Sequence, residues 1–142
     1  MNKKILLAPA TLISGLLIMA AAPDAPAANA AVNPRTHYSL SYGRGEYTLK
    51  GNIIWYNRTV QLGASLKANE DNCAKARYKF WHGRTLVGQA ERVVCSRTGG
   101  HGFRRQYDRR GGITEVTVDL LQKNSGRWTY LTGTSCTRRG CR

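Results

Sequence analysis

The side chains that could do acid–base or nucleophilic chemistry are few in this chain, and they are scattered. There are three histidines, His37, His82 and His101. His37 lies near the start of the ordered pattern, His82 beside a turn and His101 in a glycine-rich stretch. Cleavage of a phosphodiester would need a general acid–base pair and cations facing the developing charge. His101 and Glu115 with Arg104 and Arg105 are the residues that could supply them. Their spacing follows no pattern that such chemistry requires, and no Gly-x-Ser-x-Gly elbow is present. The sequence therefore assigns no catalytic residue, and a small secreted nuclease stands only as an alternative reading. Cys136 and Cys141 form a Cys-x4-Cys pair without a second pair at ligand spacing, so they read as a disulfide rather than a zinc site. Glu70-Asp71 alone is too little for calcium. No metal and no cofactor is expected.

The densest functional pattern is Phe103-Arg104-Arg105-Gln106-Tyr107-Asp108-Arg109-Arg110-Gly111-Gly112, four arginines and two aromatics in ten residues. Arginine forks suit phosphate, carboxylate and sulfate, and aromatic faces beside them suit sugars or bases. Arg104, Arg105, Tyr107, Arg109 and Arg110 are the expected binding residues. In strand geometry Phe103, Arg105, Tyr107 and Arg109 share one face, and Arg104, Gln106, Asp108 and Arg110 the other. The competing reading makes Phe103 and Tyr107 core residues with the arginines merely outside.

The elements that would position these residues follow a period of two, with turn residues about every ten positions and no sustained helical pattern. That is the signature of an all-β sandwich or barrel. Strands are expected at Tyr38–Tyr42, Glu46–Tyr56 (bent or bulged at Gly51-Asn52), Thr59–Ala68, Ala74–His82, Leu86–Cys95, His101–Asp108, Ile113–Leu121 and Arg127–Ser135. Val60, Leu62, Ala64, Leu66 and Ala68 point inward on the third, Ala74, Ala76, Tyr78 and Phe80 on the fourth, and Val116, Val118 and Leu120 on the seventh. The eighth alternates Trp128, Tyr130 and Thr132. Ser96–Gly102 reads as a loop. The expected fold is an antiparallel two-layer β-sandwich of immunoglobulin-like type, with seven or eight strands. A closed barrel is the second choice.

One register can be derived. Positions paired across an antiparallel hairpin sum to a constant. Cys73 and Cys95 centre on residue 84, inside the turn Gly83-Arg84-Thr85. The same register sets Arg77 opposite Glu91, Lys79 opposite Gln89, Tyr78 opposite Ala90 and Phe80 opposite Gly88, all favourable cross-strand pairs. Arg92 alone falls on the apolar face, opposite Ala76, which a bulge or a sheet-edge position would resolve. Cys73–Cys95 and Cys136–Cys141 are the expected disulfides.

Lys3 and Lys4 precede an uncharged apolar run, Ile5 to Ala22, and Ala28-Asn29-Ala30 is a small-residue cleavage pattern. Residues 1–30 thus read as a removable signal peptide, and 31–142 as one secreted domain. The small-residue site argues against a retained anchor, so no stable membrane insertion is expected after processing. Four cysteines in an exported chain agree with disulfides. Removing Lys3, Lys4 and Asp24 with the leader leaves 20 Lys plus Arg and 7 Asp plus Glu, a net charge of +13. Fifteen of those cations are arginine. A charge of this size promotes solubility and attracts anionic polymers.

Trp55-Tyr56-Asn57-Arg58-Thr59-Val60, the Cys73–Cys95 hairpin, and Arg110-Gly111-Gly112 leading into Ile113–Leu121 resemble small secreted proteins of actinomycete bacteria whose function is unassigned. The resemblance covers about Gly45–Leu121. It implies secretion and a β-sandwich, and it transfers no catalytic residue and no ligand. The leader and the arginine bias read as bacterial, so the sequon Asn57-Arg58-Thr59 is expected to carry no glycan. The functional expectation is a monomeric, secreted, cationic, non-enzymatic protein, extracellular or associated with the cell wall. It would engage an anionic polymer (cell-wall, glycan or nucleic acid). A module binding an acidic protein partner, such as an inhibitor, toxin partner or antimicrobial factor, is the alternative.

Overall fold

The computed structural model describes residues 32–142; the expected leader lies outside them. Nine strands follow in order: β1 Arg35–Tyr42, β2 Tyr47–Trp55, β3 Thr59–Lys67, β4 Cys73–His82, β5 Thr85–Cys95, β6 Thr98–Gln106, β7 Glu115–Asn124, β8 Arg127–Thr137 and the two-residue β9 Gly140–Cys141. They form two antiparallel sheets, β1-β2-β3-β6 and β5-β4-β7-β8-β9. The chain crosses between sheets three times, from β3 to β4, from β5 to β6 and from β6 to β7, so the pairs β3–β6 and β4–β7 interlock as in immunoglobulin-like sandwiches. Among the described residues no helix is long and apolar enough to cross a membrane.

Alternation builds the core. Val60, Leu62 and Leu66 of β3 are buried, as are Ala74, Ala76, Tyr78 and Phe80 of β4 and Val116, Val118 and Leu120 of β7. Leu49, Ile53 and Trp55 of β2 lie beside the β3 residues and face those of β4 and β7 on the other sheet. Trp55 Nε1 donates to Thr36 Oγ1 (2.9 Å), which donates to the Thr137 carbonyl (2.8 Å), a polar tie between the sheets. The hairpin register is the derived one from Cys73↔Cys95 through Phe80↔Gly88, with a bulge just before the turn. Both expected disulfides are formed. Arg92 does lie on the apolar face opposite Ala76, and it is tolerated because β5 is an edge strand and leaves it exposed.

Several boundaries differ from the sequence reading, each for a physical reason. Gly51-Asn52 is no bulge: β2 pairs continuously through both residues with β1 and β3. Gly51 is needed because a Cβ there would lie 2.5 Å from the Tyr38 hydroxyl and from the Gly63 carbonyl. Thr98-Gly99-Gly100 is strand rather than loop, pairing with Lys67, Leu66 and Ser65. The strand ends at Gln106, two residues before the expected Asp108. In β8 a bulge between the pairs Leu120↔Thr132 and Leu121↔Tyr130 shifts the alternation. Thr132, Thr134 and Cys136 therefore pair with the inward residues of β7, whereas Trp128 and Tyr130 face outward.

Candidate functional site

Consecutive strands run in opposite directions, so the connections after β2, β4, β6 and β8 all emerge at one end of the sandwich. Each of these four connections carries arginine: Arg58, Arg84, Arg109 with Arg110, and Arg138 with Arg139. Backbone and side-chain hydrogen bonds hold the connections to one another. Tyr107 N donates to the Arg58 carbonyl (2.9 Å), and His82 Nδ1 lies 2.6 Å from the Gly112 carbonyl. Gly83 N donates to Thr114 Oγ1 (2.9 Å), and Arg138 Nη2 donates to the Tyr56 carbonyl (2.6 Å). Gly112 adopts φ +56, and a Cβ there would meet Asn57 O at 2.6 Å, so glycine lets the β6–β7 connection pack on the β2–β3 turn.

The structure divides the five nominated residues into two groups. Arg104 is exposed, with its guanidinium 6.0 Å from the Tyr56 ring centroid. Arg109 and Arg110 are exposed in the connection after β6, beyond the strand, so strand alternation does not sort them onto faces. Arg105 instead faces the second sheet: it lies over Gly88 and donates through Nη2 to the Val87 carbonyl (3.2 Å). Tyr107 is half-buried, packed against the core and tilted on His82 at 5.1 Å between ring centroids. Arg58, Arg84, Arg138 and Arg139 were not nominated from sequence, because each sits alone or paired in a separate turn. Alternation of strand direction was the signal that could have gathered them.

Among the described residues, Arg58, Arg84, Arg109, Arg110 and Arg139 have no side-chain hydrogen bond or salt bridge, so their forks face solvent free. The carboxylate among these connections, Asp108, accepts from Gln106 Nε2 (2.5 Å). A shallow depression of about 590 Å³ opens beside them, lined by Gly111, Thr114, Arg138 and Arg139. The opposite connections are balanced differently: Arg44 and Arg97 stand with Glu46, Glu70 and Asp71. An end lined by free guanidinium groups can bind phosphate, sulfate or carboxylate groups by charge-assisted hydrogen bonds.

His101 and Glu115 do not meet. His101 points between the sheets, where Nε2 is 2.8 Å from the Tyr78 hydroxyl, itself 3.1 Å from the Tyr38 hydroxyl. Glu115 lies on the outer face of the other sheet and accepts from Ser135 Oγ. Burial pushes Tyr38 up to about 12 and Tyr78 well above the usual tyrosine range, so both hydroxyls stay protonated. Burial and the nearby Arg92 charge hold His101 below the ordinary histidine value, while the Gly99 backbone pulls weakly the other way. Its Nδ1 is buried without a hydrogen-bond partner. Among the described residues no group of three or more His, Cys, Asp or Glu is placed to hold a metal ion. No protein-family model, curated protein or solved structure matches the chain.

Proposed function

We propose that this is a secreted, cationic, non-enzymatic binding protein that holds anionic extracellular polymers against the arginine-bearing end of its sandwich. The observation that carries the reading is the convergence of Arg58, Arg84, Arg109, Arg110, Arg138 and Arg139 from four connections onto one end. The loop carboxylate there is already engaged by Gln106. Arg104 and the Tyr56 ring extend the surface along the side of the sheet. Arg105, exposed but with its guanidinium bonded to the Val87 carbonyl, braces the facing sheet beside this surface, and half-buried Tyr107 supports it from beneath. Disulfides agree with an oxidising compartment, and a repeating anion suits a row of forks better than a small ligand would.

The test is titration of the protein, recovered after export with its disulfides formed, against teichoic acid, a sulfated glycan, RNA and an uncharged polysaccharide over a range of salt. The expected result is binding that survives physiological salt and discriminates among the polyanions. Weak binding to every polyanion, vanishing as salt rises, would leave the charge generic and overturn the reading in favour of a protein partner.

A further inference from the structure

We propose that the outer face of the β5-β4-β7-β8-β9 sheet is a second binding site, which takes an uncharged, hydroxyl-rich polysaccharide chain. Three aromatic side chains lie on this face, and the local geometry lays two of them along the sheet. The bulge in β8 turns Trp128 and Tyr130 outward. Tyr130 is 59% exposed, the most exposed aromatic of the strands. A Cβ on Gly133 would lie 2.8 Å from both the Tyr130 hydroxyl and Asp119 Oδ1. The tyrosine ring therefore runs along its own strand, over the space the glycine leaves open, instead of standing off the surface. Trp81 reaches across to the next strand and donates from Nε1 to Thr117 Oγ1 (3.0 Å). Trp128 carries Lys75 Nζ over its ring at 4.4 Å. Trp128 pairs with Lys123 and Trp81 with Glu115, so the rings span nine residues of β7, eight steps or roughly 27 Å of strand.

The charges on the face choose the occupant. Lys75 and Arg77 both pair with Glu91 at 3.1 Å, and Lys79 lies 3.9 Å from Asp119. Glu115 is bound by Ser135. Among these described residues Lys123, opposite Trp128, is the cation without a carboxylate partner, so the surface is largely self-neutralised on a strongly cationic molecule and offers a polyanion little. Its paired carboxylates and cations keep unused lone pairs and N–H groups that can meet hydroxyls. The exposed Tyr130 ring offers a flat face to the C–H face of a sugar ring with its polar tip beside it, and the half-buried Trp81 and Trp128 extend the platform on either side.

The experiment titrates the exported, disulfide-bonded protein with β-1,4-glucose, β-1,4-N-acetylglucosamine, β-1,3-glucose and α-1,4-glucose hexasaccharides, by calorimetry and tryptophan fluorescence, at low and high salt. At least one is expected to bind, with an affinity that salt does not change. Tyr130→Ala should weaken it about tenfold, in the range set by losing one stacking face. Gly133→Ala, whose Cβ would displace the Tyr130 ring and also crowd Asp119 and the Val118 carbonyl at 3.0 Å, should weaken it similarly with a cooperative melting transition retained at a lower temperature. Arg109→Ala with Arg110→Ala should leave it unchanged, so this proposal stands or fails apart from the polyanion reading. Failure of all four hexasaccharides to bind, binding indifferent to Tyr130→Ala, or a protein partner covering Tyr130 in place of sugar would each overturn it.

Discussion

His101 shows how one side chain changes meaning once its neighbours are known. By type and position it could be an acid–base group, and Glu115 was the partner that residue chemistry suggested. Its actual partner, Tyr78, is 23 residues away and on the facing sheet, a proximity that no spacing rule contains. Protonating His101 would place a positive charge in a half-buried site between the sheets and beside Arg92. The folded state therefore resists the proton that the unfolded chain accepts near pH 6.5. The unfolded state binds more protons in that window. Stability is complete above about pH 6.5 and falls as pH drops below it toward the lower folded-state value. Urea midpoints measured from about pH 8 to about pH 5 should show that loss, and His101→Gln should flatten it. An unchanged slope in the variant would assign the loss to other groups.

At the scale of the element, β6 is the instructive case. Thr98-Gly99-Gly100-His101-Gly102 has the composition of a loop, yet it forms the edge strand of its sheet. The glycines serve closeness rather than turning: a Cβ on Gly99 would lie 2.7 Å from Val94 Cγ1 on the opposite sheet. Gly99→Val should cost about 1–3 kcal/mol by forcing the edge outward. Gly100→Val, whose nearest neighbour is the Ala64 carbonyl at 3.9 Å, should cost much less. Denaturant unfolding of the two variants makes the comparison, and equal losses would refute it. The β4–β5 hairpin is the opposite case, legible from sequence because its turn, its charges and its cysteines all obey one register. Replacing Cys73 and Cys95 by alanine should lower stability by about 3 kcal/mol, against about 2 kcal/mol for Cys136 and Cys141, since the first bond closes the longer loop. The bulge in β8 was illegible, because Trp128, Tyr130 and Thr132 alternate in sequence whether or not the ladder slips between them.

Over the whole molecule, the charge is sorted by topology. The connections after even-numbered strands share one end, and that end gathers Arg58, Arg84, Arg109, Arg110, Arg138 and Arg139 around one loop carboxylate, Asp108; the other end mixes both signs. If the polyanion reading is right, removing Arg109, Arg110 and Arg139 together should reduce the slope of log affinity against log salt for RNA by about 2, near 0.7 per lost phosphate contact. Arg44→Ala with Arg97→Ala should leave that slope nearly intact. Equal effects from the two ends would mean that net charge, not its arrangement, governs binding.

The layer architecture, the inward faces of β3, β4 and β7, one hairpin register and both disulfides were legible in the order of residues alone. All of these are written in period-two alternation and local turn chemistry, which act between neighbours along the chain or across a single hairpin. That Arg58, Arg84, Arg138 and Arg139 join the Arg109–Arg110 loop, that Arg105 braces the facing sheet, and that His101 belongs to a buried tyrosine pair came from the packed fold. Those relations depend on how two sheets stack and how four separate connections close over one end. Packing between distant segments sets them, and a one-dimensional pattern carries no distance across the core.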